Sequence, residues 1–218
     1  MQTVALIDYG SGNLPSAEKA LRKAAASLSA PTAVVVTDDP EVIARADRVV
    51  LPGVGAFAAC MSALEARPGV IEAMGEAAAG RGAPFLGICV GMQLLATRGR
   101  EFGYTNGLNW IEGDVRRLEP TDRNLKIPHM GWNGLDTTLG GDLGGPLFAG
   151  LNSGVHMYFT HSYVLVPERE TDVAAWTDHG GAFAAAVVRG NIAGVQFHPE
   201  KSQGAGARLL GNFLNWRP

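Results

Sequence analysis

The segment Pro84-Phe-Leu-Gly-Ile-Cys-Val-Gly-Met-Gln-Leu-Leu-Ala-Thr97 decides the fold of this chain. Residues 84–88 are apolar and typical of a buried strand, and residues 90–97 have the pattern of a helix. Cys89 stands between them, with a glycine two residues away on each side. Such a glycine-flanked residue marks a sharp strand-to-helix turn, which lifts the central side chain above a parallel sheet.

The same alternation of strand and helix runs through the first half of the chain. We predict strands at 4–8, 33–37, 47–51 and 84–88, and helices at 14–28, 56–65, 70–79 and 90–97. This rhythm predicts a parallel sheet with helices on both faces. The second half places strands close together, at 114–118, 157–166, 173–176, 183–188 and 192–197, before a last helix at 203–216. The predicted fold is therefore α/β, with an open, mixed, mostly parallel sheet.

Composition restricts the class of protein. The chain has 218 residues, of which 46% are hydrophobic and 18% charged, so we predict one well-cored domain over residues 1–218. The net charge of −3 and the lack of a Lys/Arg run argue against nucleic-acid and membrane surfaces. Neither a signal peptide nor a membrane-spanning stretch is evident, which predicts a cytoplasmic protein with reduced thiols. Residues 137–150, rich in Gly, Leu and Asp, are predicted to form a loop.

Cys89 is the candidate nucleophile. The helix that begins at Val90 would direct its free N–H groups and positive dipole end at the sulfur, which favours the thiolate. The N–H group of Val90 would also help to hold a tetrahedral oxyanion. The alternative is a small buried cysteine, which is the usual role of this residue type. We assign that alternative to Cys60, which lies in an apolar helix, and favour the nucleophile at Cys89.

A thiolate that attacks an acyl group needs a base and a group that orients the base. His198 and Glu200 follow a strand that ends abruptly at Pro199. Residues two apart on an extended backbone point to the same side, so the imidazole and the carboxylate can pair. Alone, this pattern would describe two surface residues, but together with Cys89 it predicts a catalytic triad. The order in the chain, with the acid last, differs from that of α/β-hydrolases.

The third strand ends at Pro52-Gly53-Val54-Gly55, on the sheet edge that also carries the cysteine turn. Glycines at this edge allow backbone N–H groups to approach a reacting carbonyl, which predicts the second half of an oxyanion hole. A phosphate-binding turn or a plain tight turn is the alternative. The segment lacks the Lys-Ser/Thr pair of a nucleotide-binding loop, so nucleotide binding is disfavoured.

Three sequence blocks together resemble the class I glutamine amidotransferases. They are Pro-Gly-Val-Gly-Ala-Phe (52–57), Gly-Ile-Cys-Val-Gly-Met-Gln-Leu-Leu (87–95) and Val-Gln-Phe-His-Pro-Glu (195–200). Four further blocks, at 7–14, 126–133, 158–163 and 198–203, resemble the glutaminase subunits of imidazole glycerol phosphate synthases. The block Lys-Ile-Pro-His-Met-Gly-Trp-Asn (126–133) is the most specific of them. The resemblance spans nearly the whole chain and implies a flavodoxin-like fold.

The resemblance implies a role for each matching residue. Cys89 is the nucleophile, His198 the general acid/base and Glu200 its orienting partner. The oxyanion hole would be formed by Gly53, Val54, Gly55 and Val90. The residues that bind glutamine would be Gln93, Glu101, His161, Ser162 and Tyr163. The partner interface would include Asn13, Tyr158 and Lys201. Without the resemblance, ordinary strand packing would explain Tyr158 and His161 equally well. No metal and no cofactor are expected.

The implied reaction is hydrolysis of glutamine to glutamate and ammonia. The sheet that carries the triad uses the whole chain, so the acceptor chemistry must lie on another subunit. The resemblance implies a heterodimer with a (β/α)₈-barrel cyclase, which receives ammonia through an internal passage. The products would be imidazole glycerol phosphate and an aminoimidazole carboxamide ribotide, in histidine biosynthesis. It also implies weak glutaminase activity until the cyclase binds its ligand.

Two other functions remain open from the sequence. The chain could be the glutaminase subunit of another synthase, such as those that make pyridoxal phosphate or anthranilate. It could also be a non-catalytic regulatory subunit with the same fold. The block 126–133 and Lys201-Ser202-Gln203 argue against the first, and the intact Cys89, His198 and Glu200 argue against the second.

Overall fold

A computed structural model describes residues 1–122, 124–138 and 145–218 of the chain. The described strands are β1 (Gln2–Ile7), β2 (Thr32–Thr37), β3 (Arg48–Gly53), β4 (Phe85–Cys89), β5 (Arg98–Gly99), β6 (Thr105–Asn106), β7 (Gly113–Arg117), β8 (His129–Gly134), β9 (His156–His161), β10 (Tyr163–Pro167), β11 (Val173–Asp178), β12 (Ala182–Arg189) and β13 (Ile192–Val195). The described α-helices are α1 (Leu14–Ala25), α2 (Pro40–Arg45), α3 (Phe57–Glu65), α4 (Val70–Gly75), α5 (Val90–Gln93) and α6 (Gln203–Asn215). A π-helical turn at Glu76–Gly80 follows α4.

The central sheet has seven strands in the order β11-β12-β13-β4-β3-β1-β2. Five neighbouring strands, β2, β1, β3, β4 and β13, run parallel to one another. Strands β12 and β11 extend the sheet beyond β13, each antiparallel to its neighbour. The parallel part has the strand order 2-1-3-4-5 of flavodoxin-like folds. The predicted fold class, a mixed and mostly parallel sheet, is confirmed. Helix α1 packs against α6, and α2 packs against α4.

The strand predicted over 157–166 is wrong as a single strand. The chain changes partner at Ser162, so that β9 pairs with β8 and β10 pairs with β7 in a separate four-stranded sheet. Strand propensity is uniform along this segment and carries no information about which partner each half will find. Strand β8 was not predicted, because Gly131 and Gly134 interrupt any strand-like pattern and only its pairing with β9 extends it.

Two helical predictions also differ from the structure. The helix predicted over 90–97 ends at Gln93, because Leu95 and Ala96 bond to carbonyls only three residues back and β5 then begins. Helix α2 was not predicted, since six residues are too few for a periodic pattern. Its start was nevertheless visible: Asp39 caps the helix and Pro40 occupies its first position.

One cluster of buried hydrophobic residues extends from Val4 to Trp216. Within the predicted loop 137–150, residues 139–144 lie outside the described residues. Leu147 and Phe148 are buried, and Asn212 of α6 donates to the carbonyl of Leu147 at 2.9 Å. In the described parts of the chain, none of the helices combines the length and hydrophobicity needed to cross a membrane.

Candidate active site

Cys89 occupies a strained turn at the end of β4. Its backbone has φ +54° and ψ −111°, a conformation that non-glycine residues rarely adopt. The glycines on either side are required by packing. A Cβ atom at Gly91 would fall on the carbonyl oxygen of Leu51, and one at Gly87 would lie 2.5 Å from the carbonyl oxygen of Gly91. The motif therefore exists because β3, β4 and α5 pass too close together for side chains.

His198 and Glu200 form the pair that the sequence predicted, but Pro199–Lys201 form a 3₁₀ turn and not the extended backbone from which the pairing was predicted. Nδ1 of His198 lies 2.8 Å from Oε1 of Glu200, and both side chains are almost completely buried. The backbone N–H of His198 donates to the carbonyl of Tyr158 at 2.9 Å, which ties the turn to β9. Because the carboxylate accepts from Nδ1, the Nε2 atom is the one left for chemistry.

The electrostatics of His198 favour its protonated form. Burial lowers the pKa of this imidazole, but the nearby Cys89 and the hydrogen-bonded Glu200 outweigh the burial and raise the pKa to about 9. Nε2 is buried, and among the described residues no group makes a well-directed hydrogen bond to it. Cys89 is thus near enough to stabilise the imidazolium, without a formed hydrogen bond.

A pocket of about 220 Å³ opens over the cysteine. It collects most of the predicted site residues: Val54, Gly55, Cys89, Val90, Gln93, Glu101, His161, Ser162, Tyr163, His198 and Lys201. Three predicted residues, Asn13, Gly53 and Glu200, instead line a second and much smaller cavity, which shares Val54 and His198 with the first. The structure therefore brings residues as far apart in the chain as Val54 and Lys201 together in the pocket of Cys89.

Gln93 and Glu101 are held by the protein itself. Nε2 of Gln93 donates to the carbonyl of Tyr163 at 2.9 Å and to Oε1 of Gln196 at 3.0 Å, so both of its N–H groups are in use. Its Oε1 atom remains to face a ligand. One carboxylate oxygen of Glu101 accepts from the N–H of Phe57 at 2.8 Å, at the start of α3. This bond fixes the carboxylate at the wall of the pocket.

The predicted oxyanion loop is hydrogen-bonded to Ser11. The N–H of Val54 donates to Oγ of Ser11 at 3.3 Å, and Ser11 donates back to the carbonyl of Val54 at 2.9 Å. The thiol of Cys60 also donates to that carbonyl, at 3.3 Å. Gly55, with φ +100°, follows directly. In this state the Val54 N–H points at Ser11 and is not available to a ligand.

Gln196 was not among the predicted site residues. Its side chain is completely buried, and its Nε2 atom donates to the sulfur of Cys89 at 3.7 Å. No local pattern in the sequence identifies it, because β13 ends at Val195 and Gln196 lies in a bend, so its position depends on its distant partners.

Beside the pocket lies a surface that we call the aromatic patch, formed by Met130, Trp132, Tyr158 and Lys201. The ammonium group of Lys201 lies 5.7 Å from the centre of the Tyr158 ring, and Trp132 packs edge-on to Tyr158 at 6.0 Å. Met130 is 64% exposed and Trp132 46%. Asn13 is exposed and caps α1 by accepting from the N–H of Ser16.

Among the described residues, no three histidine, cysteine or acidic side chains are grouped so as to hold a metal ion. The reactive groups of the site are the thiol of Cys89, the imidazole of His198 and the carboxylate of Glu200, with side-chain amide groups around them.

The chain is similar to known proteins over its full length. The chain is 61% identical to the imidazole glycerol phosphate synthase subunit HisH of Caulobacter vibrioides, over 218 residues and 100% of both chains. It is 51% identical to the HisH subunit of Rhodopseudomonas palustris, over 99% of this chain and 100% of the other.

Solved structures show the same fold at low sequence identity. A glutamine amidotransferase matches with a TM-score of 0.69 at 19% identity, over 97% of both chains. The glutaminase domain of Trypanosoma brucei CTPS, solved with acivicin, matches with a TM-score of 0.68 at 14% identity, over 100% of this chain and 96% of that one. The model of the family "Glutamine amidotransferase class-I" matches residues 5–216, nearly the full length. The chain therefore belongs to the class-I glutamine amidotransferase family.

Proposed function

We propose that this chain is the glutaminase subunit of an imidazole glycerol phosphate synthase, and that it hydrolyses glutamine at Cys89 for a cyclase subunit in histidine biosynthesis. The observation that carries the proposal is His198, which is paired with the buried Glu200 and lines one pocket together with a cysteine on a strained turn. Full-length identity of 61% to a subunit of that synthase supports the choice of pathway.

In the first half of the reaction, the Cys89 thiolate attacks the side-chain amide carbon of glutamine. The C–N bond of the tetrahedral intermediate breaks, and Nε2 of His198 gives its proton to the departing nitrogen, which leaves as ammonia. A glutamyl thioester remains on Cys89. The raised pKa of His198, about 9, favours the protonated form that delivers the proton at neutral pH.

In the second half, His198 acts as a base. It takes a proton from a water molecule, which attacks the thioester carbon, and the C–S bond breaks to release glutamate and regenerate the thiolate. Glu200 keeps the imidazole in the orientation and tautomer that both halves need, through its bond to Nδ1 at 2.8 Å.

The pocket wall supplies groups suited to an α-amino acid. Glu101 and the segment His161–Tyr163 line the pocket, and we propose that Glu101 meets the α-ammonium group and that the segment binds the amino-acid end of the substrate. The Oε1 atom of Gln93, whose N–H groups are occupied, would accept from the amide of glutamine.

The ammonia must reach a second subunit without meeting bulk water, because protonation would remove its nucleophilicity. The proposed partner is a (β/α)₈-barrel cyclase that forms a heterodimer with this chain in the cytoplasm and makes imidazole glycerol phosphate and an aminoimidazole carboxamide ribotide. The aromatic patch and Asn13 are the proposed contact surface, since exposed aromatic side chains are enriched at the centres of interfaces.

The glutaminase is proposed to be weak until the cyclase binds its ligand. The Ser11 hydroxyl holds the Val54 N–H, so completion of the oxyanion hole requires the peptide between Gly53 and Val54 to turn toward the sulfur. A partner that favours the turned peptide would raise the rate.

The decisive experiment is ammonia release from glutamine by the chain, measured alone, with the cyclase subunit, and with the cyclase plus its ribotide substrate. We expect little release by the chain alone and the fastest release with both additions. Equal rates in all three conditions would overturn the proposed coupling. No release in any of them would overturn the glutaminase assignment.

A further inference from the structure

The buried side chain of Gln196 carries an inference that rests on the proposed function. We propose that Gln196 is a further catalytic residue, whose side-chain N–H donates to the sulfur of Cys89 and holds the thiolate in position. The Nε2 to Sγ distance is 3.7 Å, within the range of a hydrogen bond to sulfur, and Gln196 is fully buried. A donor in such a place is costly to leave unpaired.

The direction in which Gln196 presents its amide is fixed by its neighbours. The carbonyl of Tyr163 can only accept, so Gln93 must present its NH₂ group there, at 2.9 Å. The second N–H of that group then faces Gln196 at 3.0 Å, which requires the oxygen of Gln196 on that side. The NH₂ group of Gln196 is left on the other side, facing Cys89. Reversing Gln93 would place two acceptors against each other, and reversing Gln196 would place two donors against each other.

The Tyr163 carbonyl, which begins this series of hydrogen bonds, is itself held by a donor. It accepts from Nδ1–H of His161 at 3.1 Å, so the Nε2 atom of His161 accepts from Nδ1–H of His129 at 2.9 Å. Nε2 of His129 accepts in turn from Asn133 at 3.3 Å. Both rings are neutral in this arrangement, and burial lowers the pKa of His129 to about 4 and that of His161 to about 3. In the series of hydrogen bonds from Asn133 on β8 to the sulfur of Cys89, each group therefore has a defined role as donor or acceptor.

The chemistry gains from a donor that remains at the sulfur throughout the reaction. His198 gives up its proton during each turnover, whereas an amide N–H stays in place throughout. The amide would stabilise the thiolate before attack, and again when the C–S bond of the thioester breaks and negative charge returns to the sulfur.

Two substitutions test this role. Gln196→Met has a similar length and no donor, and Gln196→Glu has nearly the same shape and accepts when ionised. For each, the rate of Cys89 alkylation by iodoacetamide would be measured against pH by mass spectrometry, with circular dichroism to verify folding. We expect the pH of half-maximal alkylation to rise by about one unit in Gln196→Met, and further in Gln196→Glu. We also expect kcat for glutamine to fall ~10-fold in the complex with the cyclase, with KM little changed.

Asn191→Ala is the matched control. It removes a side-chain amide that bonds to the carbonyls of Ala78 and Ala83, and it should keep the wild-type alkylation profile and kcat. An unchanged alkylation profile in either folded Gln196 variant would overturn the role of Gln196 and leave the proposed function intact. A wild-type complex that releases no ammonia from glutamine would instead overturn the proposed function, whatever the profiles.

Discussion

At the scale of the residue, the site depends on directions that hydrogen bonds impose on a few side chains. Cys89 is strained, His198 is oriented by Glu200, and the Val54 peptide is held by Ser11. The first two follow from motifs that are local in the sequence and were predicted. The bond between Ser11 and the Val54 peptide joins residues 43 positions apart and depends on the orientation of a peptide group. No local sequence pattern encodes that orientation.

Substitution of Ser11 tests the proposed restraint on the oxyanion loop. Ser11→Ala removes the acceptor of the Val54 N–H, so the peptide should turn toward Cys89 more readily. We expect ammonia release by the complex without ribotide to rise about 5-fold, the equivalent of one hydrogen bond. Ser27→Ala, which removes an exposed hydroxyl at the end of α1, is the control. A lower or unchanged basal rate in Ser11→Ala would contradict the restraint.

At the scale of the element, the junction of β4 and α5 sets the limit on side-chain size. Gly91→Ala would place a Cβ atom on the Leu51 carbonyl oxygen, so we expect a loss of roughly 3 kcal/mol or more in the free energy of unfolding. Gly75→Ala is the matched control, because a Cβ there meets nothing within 4 Å and the position is helical. That variant should gain about 0.5–1 kcal/mol. The free energy of unfolding of the two variants would be measured in urea. Equal values for the two would refute the steric argument.

The pair of β8 and β9 should make the stability depend on pH. The folded state lowers the pKa of buried His129 to about 4, below its ordinary value near 6.5, so the unfolded chain binds more protons between these values. Stability is therefore fully present above pH 6.5 and is lost as the pH falls toward 4. In His129→Gln, the loss between pH 7 and pH 5 should be smaller by about 2 kcal/mol, measured by urea unfolding.

His156→Gln serves as the control for that measurement, because His156 is exposed and lies on β9, the strand paired with β8. It should keep the wild-type pH dependence. If His129→Gln behaved like His156→Gln, the buried neutral ring would not be the origin of the effect.

The elements also show where sequence reasoning succeeds. The parallel strands were predicted because each is a short apolar run followed by a periodic helix, a pattern contained in the segment itself. Strand β8 and the division at Ser162 depend on pairing between segments far apart in the chain, and no single segment records it. Gln196 belongs to the same class, since its role depends on residues 103 and 107 positions away.

At the scale of the whole molecule, the aromatic patch should decide the affinity for the cyclase. Trp132 is half-exposed and packs on Tyr158, whose ring lies beside Lys201 of the pocket wall, as an interface anchor would. We expect Trp132→Ala to weaken the complex by about 2 kcal/mol, or ~30-fold in Kd, by isothermal titration calorimetry. Val166→Ala removes an exposed apolar side chain from β10, outside the pocket, and should leave Kd unchanged. An unaltered Kd in Trp132→Ala would show that the interface lies elsewhere on the molecule.

The two cysteines allow the central claim to be tested within a single molecule, because Cys60 and Cys89 are both free and both buried. The complex with the cyclase would be treated with an electrophilic analogue of glutamine and mapped by mass spectrometry. The account predicts one label per chain, on Cys89, no label on Cys60, and no label on either in His198→Ala. A label on Cys60, or an unlabelled Cys89 in the wild-type complex, would contradict it.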